Sequence, residues 1–357
     1  MRLAAYQFGV TGNAEQNIET IKNAVIKAAN DKSELIVFPE CAVSGYPPRD
    51  LNDSRDFDHE KVQGVLNELQ GMSDKYDIGI ICFTGGKIMK VGIIGYGSMG
   101  KMLADKFAAS DNRELEQVYV TNRSKDKLDT VPNGIVICND NRELASESDI
   151  VFLCVRPVDI KDIVKDIDGC LKDDALLVSL NGSVTFDMIG NLTDHKIAKV
   201  IPSVTAEIDR SQTLVCYNDS VTEEDKDELK RLLACIGNVI ELPEYEIGMG
   251  SELVSCMPGF IASIFDVICR SAKKHTGIPD EQIVKMVLNT MSATGDLMLR
   301  NDMTFEEVVG RVATKGGITE EGTRVVYDQF PDTADELFGK TLAKRRLTAE
   351  KAVKSFQ

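Results

Sequence analysis

Three glycines that follow Ile94 have the spacing of a dinucleotide phosphate-binding turn. The apolar run Val91–Ile94 leads into Gly95-x-Gly97-x-x-Gly100, and a helical pattern follows. The first glycine permits a tight bend, the second lets backbone approach a pyrophosphate, and the third lets the helix pack on the strand. The helix N-terminus then offers free N–H groups and its positive dipole end to the anion. The whole turn is a candidate cofactor-binding segment: Gly95, Tyr96, Gly97, Ser98, Met99 and Gly100.

A second polar segment indicates which nicotinamide cofactor the turn would hold. About twenty residues beyond the glycines, a site selective for NAD carries an acidic residue that binds the ribose 2′-hydroxyl. Here the second strand ends instead in Asn122-Arg123-Ser124. An arginine suits a 2′-phosphate, which a carboxylate would repel. The sequence therefore predicts NADP(H) rather than NAD(H), the alternative being that Arg123 is a solvated loop arginine.

Charge and composition exclude several other functions. The net charge of −16 disfavours binding to nucleic acid, which requires cations opposite phosphates. Nine cysteines occur without a CxxC pair, and with three histidines they form no metal-ligand pattern. We therefore expect no metal site and reduced thiols in a cytoplasmic protein.

Hydropathy also argues against a membrane segment. No signal-peptide core is present at the N-terminus, and we expect no apolar run long enough to span a bilayer. The longest such run, Met257–Ile268, contains Asp266 and predicts a buried helix.

Alternating strand and helix patterns position these motifs. Beyond Met89 the chain predicts a Rossmann-type parallel sheet as far as residue 244, followed by an all-helical region, 245–357. That region is expected to contain separate helices near 246–275, 280–299, 304–313 and 319–329, and then a charged C-terminal helix. Residues 1–87 are the first part of the chain and are predicted to contain three strands and two helices, and the residues from Met89 onwards are its second part. A sheet this small has uncovered edges, so we expect it to be poorly ordered or packed on a partner.

The order of motifs in the second part resembles that of the pyrroline-5-carboxylate reductases. The matching segments are GYGSMG (95–100), VTNRS (120–124), Asn141, CVRP (154–157), VSLNGSVT (178–185) and TKGGITEEG (314–322). The resemblance covers about residues 89 to 345, and the last motif is the most specific of the set.

The resemblance implies an enzyme that reduces the cyclic imine Δ1-pyrroline-5-carboxylate to proline with NAD(P)H. It implies a homodimer, or a larger homo-oligomer, built through the C-terminal helices. Further cofactor contacts would come from Asn141, Cys154, Val155, Arg156 and Pro157. Backbone N–H groups of the turn Gly316-Gly317-Ile318-Thr319 would bind the substrate carboxylate, with the catalytic Thr319 hydroxyl near the ring nitrogen. Without the resemblance, the two glycines would be interpreted as a simple turn between helices.

Three segments depart from the usual family pattern. They are Pro202-Ser203-Val204-Thr205, the stretch Ser255–Phe260, and Thr314-Lys315 ahead of the glycines. These segments are more similar to a divergent subgroup encoded with bacterial late-competence genes (ComER-like), whose catalytic role is uncertain. The alternative function is therefore a catalytically silent, NADP-binding regulatory protein.

The first part resembles the beginning of the carbon–nitrogen hydrolases, a nitrilase-like family. The segments that carry this resemblance are AYQFGVTGNAEQN (5–17) and PECAVSGYPPRDL (39–51), and the match covers residues 2 to about 82. In that family the glutamate matching Glu40 is the general base of a Glu-Lys-Cys triad. The lysine and the nucleophilic cysteine lie further downstream there, and here the reductase-like part begins first. A base without its nucleophile cannot perform acyl transfer, so we expect Glu40 to be a remnant.

Overall fold

The chain divides into two compact units. The computed structural model describes residues 2–11, 13–39, 42–43, 59–82, 88–112 and 114–356. One unit consists of residues 1–89 with 113–116, and the other of 90–112 with 117–357. The predicted boundary between a Rossmann domain and a helical domain at 244/245 does not separate two compact units, and it stays a prediction.

The first unit contains a parallel three-stranded sheet in the order β1-β2-β3. Its strands are β1 (Leu3–Ala5), β2 (Leu35–Val37) and β3 (Gly79–Ile81), and its helices are α1 (Ala14–Asn30) and α2 (His59–Tyr76). Asn13 caps α1, because its side chain accepts the Gln16 N–H at 3.2 Å. The apolar face of α1 then buries Ile21 and Val25 completely in the unit's own core.

The second unit is built on an eight-stranded sheet in the order β11-β10-β9-β8-β7-β4-β5-β6. Its strands are β4 (Met89–Ile94), β5 (Leu115–Thr121), β6 (Ile135–Ile137), β7 (Ile150–Leu153), β8 (Leu176–Ser179), β9 (Lys196–Ile201), β10 (Ser211–Tyr217) and β11 (Gly237–Glu241). Every residue of β7 and β8 is buried, as expected of strands covered on both faces.

One pairing differs from the wholly parallel sheet that the sequence predicts. Strand β10 runs antiparallel to β9, whereas β11 pairs with β10 in parallel. The connection 202–210 between β9 and β10 is too short for a crossover helix, which parallel neighbours require.

Helices cover this sheet and then form the C-terminal region. They are α3 (Ser98–Ala108), α4 (Asn141–Glu147), α5 (Pro157–Ile167), α6 (Phe186–Gly190), α7 (Glu223–Leu233), α8 (Ile247–Ser251), α9 (Met257–Ala272), α10 (Asp280–Asn301), α11 (Phe305–Val312) and α12 (Ile318–Phe356). A π-helical turn, Glu252–Cys256, joins α8 to α9.

The prediction of a buried apolar helix over Met257–Ile268 was wrong for the single chain. Helix α9 has no buried residue, and Val267 is 65% exposed. The helical run Glu244–His275 is also long and apolar enough to cross a membrane by length and composition, contrary to the sequence-based expectation, and 6% of its apolar window is buried. Its exposed apolar surface requires cover from outside this chain.

The C-terminal region also ends differently from the prediction. In place of a helix near 319–329 and a separate charged helix, α12 is continuous and contains Pro331. An interior proline removes one hydrogen bond, but it need not end a helix that tertiary contacts hold in place beyond the proline. The far end of α12 is held, because Ala352 is buried in the core and Lys161 Nζ donates to the Phe356 carbonyl at 2.8 Å.

Candidate functional site

The glycines of the 95–100 turn have three different environments. Gly95 has a φ of +101°, and a Cβ there would lie 2.5 Å from the Cys154 carbonyl oxygen. A Cβ on Gly100 would lie 2.0 Å from the Gly95 carbonyl oxygen, so this position must be glycine for α3 to pack on β4. A Cβ on Gly97 would meet no atom within 4 Å. The open side of the turn is therefore at Gly97, where a pyrophosphate would approach the backbone.

A cavity of about 650 Å³ lies beside this turn, at the carboxyl ends of β4, β5 and β7. Strand β4 has β5 on one side and β7 on the other, which is the switch point where open α/β sheets bind ligands. Nine of the predicted cofactor residues line the cavity: Gly95, Gly97, Asn122, Arg123, Ser124, Asn141, Cys154, Val155 and Arg156. The other five are not among its lining residues: Tyr96, Ser98, Met99, Gly100 and Pro157.

Tyr96 supports the turn from behind. Its side chain is 2% exposed, and its hydroxyl donates to Asp105 Oδ1 at 3.2 Å. Its backbone N–H donates to Asn122 Oδ1 at 3.0 Å, and Asn122 Nδ2 donates to the Ser124 carbonyl at 2.8 Å. These bonds fasten the phosphate turn to the end of β5, where Arg123 emerges.

Positively charged side chains gather at the β5 side of the cavity. Arg123 has a side chain 81% exposed, so its guanidinium is accessible to a ligand. Lys125 and Lys127 line the same wall and were not singled out from the sequence, although they follow Arg123 closely. Their spacing after Asn122-Arg123-Ser124 is the signal that could have indicated them.

The carboxylate of Asp159 contacts two arginines of this cavity, Arg156 and Arg123. It accepts from Arg156 Nε at 2.9 Å and Nη2 at 3.2 Å, and lies 3.7 Å from Arg123 Nη1. The hydrogen bonds from Arg156 hold the pKa of Asp159 below its usual value, so the group is charged at neutral pH. Sequence spacing gave no indication of the contact between Asp159 and Arg123, because Asp159 lies on α5 and Arg123 follows β5, far apart in the sequence.

The loops after β7 and β8 are also joined. Asn181 Nδ2 donates to the Val155 carbonyl at 2.8 Å, which ties the VSLNGSVT segment to the cavity wall. Burial raises the pKa of the Cys154 thiol, which therefore stays protonated at neutral pH and cannot act as a nucleophile.

The predicted substrate turn is well formed but lies away from the lining of this cavity. Gly316 has a φ of +70°, and its N–H donates to Glu320 Oε2 at 2.6 Å. The Gly317 N–H donates to the Thr314 carbonyl at 2.8 Å. Ile318 is 95% exposed and Thr319 is exposed as well. In one copy of the chain, the predicted cofactor residues converge and the predicted substrate residues stand apart from them.

The candidate hydrolase base cannot be placed, because Glu40 lies outside the described residues. Cys82 is the only cysteine among the described residues of the first unit. Burial raises its pKa to about 11, so its thiol is protonated at neutral pH and unsuited to nucleophilic attack.

Comparison with known families divides the chain in the same order as the motifs. Residues 2–99 match the carbon-nitrogen hydrolase family. Residues 90–182 match a family described as NADP oxidoreductase coenzyme F420-dependent, and residues 244–347 match the pyrroline-5-carboxylate reductase dimerisation family. The hydrolase match extends beyond residue 82, where the motifs end, into β4 and the phosphate turn. The dimerisation match identifies the exposed helices as a homo-oligomerisation region.

Individual relatives agree with the second and third of these matches. Pyrroline-5-carboxylate reductase 3 of Bacillus subtilis is 30% identical over 270 residues, covering 74% of this chain and 98% of the relative. ComE operon protein 4 of the same organism is 26% identical, covering 72% of this chain and 95% of the relative. The reductase of Coxiella burnetii superposes with a TM-score of 0.65 at 24% identity, over 74% of this chain and 99% of that one. An NADP-bound Plasmodium falciparum reductase gives 0.64 at 20% identity, over 76% and 100%.

The second unit combines a Rossmann-type sheet, a phosphate-binding turn and a helical region. The similarity to the Bacillus subtilis reductase extends over nearly the whole length of that relative. These features place the second unit among nicotinamide-dependent oxidoreductases that act on a C=N bond. The chain belongs to the pyrroline-5-carboxylate reductase family, and a carbon–nitrogen hydrolase-like segment precedes its reductase unit.

Proposed function

We propose that this protein reduces 1-pyrroline-5-carboxylate to proline with NADPH. The observation that carries the proposal is the phosphate turn, with Gly97 open to a ligand and Arg123 exposed at the same cavity. Relatives named pyrroline-5-carboxylate reductases support the choice of substrate.

The described residues fit an NADP(H) molecule. The backbone around Gly97 has room for the pyrophosphate, and the N-terminus of α3 faces it. Arg123, with Lys125 and Lys127 nearby, supplies positive charge for a 2′-phosphate. The bound cofactor would supply a hydride to the carbon of the C=N bond.

The protein itself would bind and orient the imine. The protonated imine is a better electrophile than the neutral one, so no strong side-chain acid is needed. Alignment of the nicotinamide with the imine ring then accounts for much of the rate. We assign the carboxylate of the substrate to the backbone N–H groups of the turn Gly316–Thr319, where it would replace the Glu320 carboxylate as acceptor of the Gly316 N–H. We assign the ring nitrogen of the substrate to the Thr319 hydroxyl. Since this turn lies apart from the cavity in one copy, we propose that a homodimer formed through the C-terminal helices completes the site.

Turnover by the purified full-length chain tests the proposal. NADPH absorbance is followed while the concentration of racemic pyrroline-5-carboxylate is varied. We expect saturable loss of NADPH that depends on the imine. NADPH binding measured by calorimetry, with no imine-dependent oxidation, would contradict it.

A regulatory protein that holds NADP(H) without turnover is the second candidate. Two observations favour it: the similarity to ComE operon protein 4, and the departures from the family pattern at 203–205 and 255–259. In this case the chain should bind NADPH as the reductase would, and replacement of Thr319 should alter no measurable rate.

A further inference from the structure

Two arginines at the cofactor cavity are directed to a single carboxylate. Arg156 forms two hydrogen bonds with Asp159, and Arg123 contacts the same carboxylate at 3.7 Å. The Asp159 side chain is 27% exposed, whereas those of Arg156 and Arg123 are 67% and 81% exposed. Asp159 is therefore the least exposed member of the cluster, and the two arginine side chains are open to solvent.

This cluster lies where the 2′ position of the cofactor is expected. Arg123 follows β5, on the side of the sheet that holds the adenosine ribose in dinucleotide-binding folds. All three residues of the cluster line the cavity. Any group that binds Arg123 there must share it with Asp159.

We propose that Asp159 sets the preference between NADPH and NADH by competing with the 2′-phosphate for Arg123 and Arg156. This inference rests on the proposed NADP-dependent function. A 2′-phosphate brings negative charge close to the Asp159 carboxylate, which repels it. A ribose 2′-hydroxyl is neutral and can donate a hydrogen bond to a carboxylate. The carboxylate thus weakens binding of NADPH and leaves binding of NADH unchanged or improved.

The substitution Asp159→Asn separates these effects, because it removes the charge and keeps the size of the side chain. Asp162→Asn is the matched control: Asp162 lies one turn further along α5 and lines the same cavity. Within the part of the chain that the structure describes, Asp162 has no ion pair with either arginine. If the negative charge of the cavity acted only through its general electrostatic potential, both substitutions would strengthen binding of the 2′-phosphate. If Asp159 competes for Arg123, only Asp159→Asn should do so.

The probes are adenosine 2′,5′-bisphosphate and 5′-AMP, which differ in the 2′-phosphate and lack the nicotinamide. Calorimetric titration of the full-length chain gives the ratio of their affinities. We expect Asp159→Asn to raise the preference for the bisphosphate about fivefold, equivalent to about 1 kcal/mol. Asp162→Asn should change it less than about twofold, because solvent and salt screen a charge without a direct contact.

Three results would overturn the inference. They are an unchanged ratio in Asp159→Asn, a lower ratio, or an equal rise in Asp162→Asn. A lower ratio would mean that Asp159 positions Arg123 for the phosphate. Combining Asp159→Asn with Arg123→Gln gives a double-mutant cycle. Asp159→Asn should raise the preference for the bisphosphate less in the Arg123→Gln background, because the arginine for which Asp159 and the 2′-phosphate compete is then absent.

The outcome for the unaltered protein separates this inference from the proposed function. If the unaltered chain binds both probes equally, the NADP preference itself fails, and the inference fails with it. If the preference is present and Asp159→Asn leaves it unchanged, the role of Asp159 alone is disproved.

Discussion

At the scale of single residues, Thr319 distinguishes catalysis from binding. If its hydroxyl contacts the ring nitrogen of the imine, Thr319→Ala should lower kcat/KM about tenfold or more, the effect of one hydrogen bond to a charged group. NADPH affinity should be nearly unchanged, because the proposed contact of Thr319 is with the imine and not with the cofactor. Thr323→Ala, one turn further along α12, is the control. Equal losses of kcat/KM in the two variants would argue against a contact between Thr319 and the substrate.

Gly97 and Gly100 provide a second test, because their surroundings differ. Gly97→Ala should fold normally and weaken NADPH binding, since its Cβ would occupy the open space assigned to the pyrophosphate. Gly100→Ala should lower the free energy of unfolding by about 1–3 kcal/mol, because its Cβ would collide with the Gly95 carbonyl. Denaturation in urea and NADPH titration measure the two effects. Loss of stability in Gly97→Ala would contradict the assignment.

Local spacing predicted five residues that line the cavity, Gly95, Gly97, Asn122, Arg123 and Ser124, and missed those whose position depends on packing. The glycines and Asn122-Arg123-Ser124 belong to a short strand–turn–helix unit whose geometry is encoded locally. Asp159 lies on α5 and Arg123 follows β5, so the two side chains come into contact only in the folded sheet. The side chain of Tyr96, a predicted cofactor residue, is buried against α3 and supports the turn.

At the scale of elements, a buried ion pair connects α12 to the π-helical turn before α9. Glu252 is 2% exposed, and its Oε1 accepts from Arg345 Nη2 at 2.8 Å and Nε at 3.0 Å. Its other oxygen is buried without a hydrogen-bond partner. Arg345→Ala should therefore cost about 3–5 kcal/mol of unfolding free energy, because it leaves a buried charge uncompensated.

Urea denaturation of matched variants measures this cost. Arg346→Ala alters an exposed neighbour and should have little effect. Adding Glu252→Gln to Arg345→Ala should recover part of the loss, since it removes the unpaired charge. A loss in Arg345→Ala no larger than in Arg346→Ala would show that the pair contributes little.

The order of elements followed from hydrophobic patterning, whereas two features of their arrangement did not. The strand–helix alternation after Met89 was predicted, because each strand and helix has its own period in the sequence. The antiparallel direction of β10 and the continuity of α12 through Pro331 were not predicted. Both depend on contacts with distant parts of the chain, which no local pattern records.

At the scale of the whole molecule, the exposed apolar face of the C-terminal helices requires a second copy. Val267 and Ile268 of α9 are 65% and 45% exposed, in a region that matches the dimerisation family. Val267→Asp should shift the protein towards monomer in sedimentation velocity, because a charge would be buried in the interface. Val136→Asp, at an exposed position on β6, should leave the oligomer intact. A chain that is monomeric without any substitution would contradict the proposed homodimer.

We propose that this protein transfers a hydride from NADPH to the carbon of the C=N bond of a cyclic imine. The most direct test incubates the full-length chain with pyrroline-5-carboxylate and NADPH deuterated at the transferable position, followed by mass spectrometry of the product. We expect proline that carries one deuterium and accumulates in proportion to the NADPH consumed. Tight binding of NADPH with no labelled proline would contradict it and favour the regulatory function.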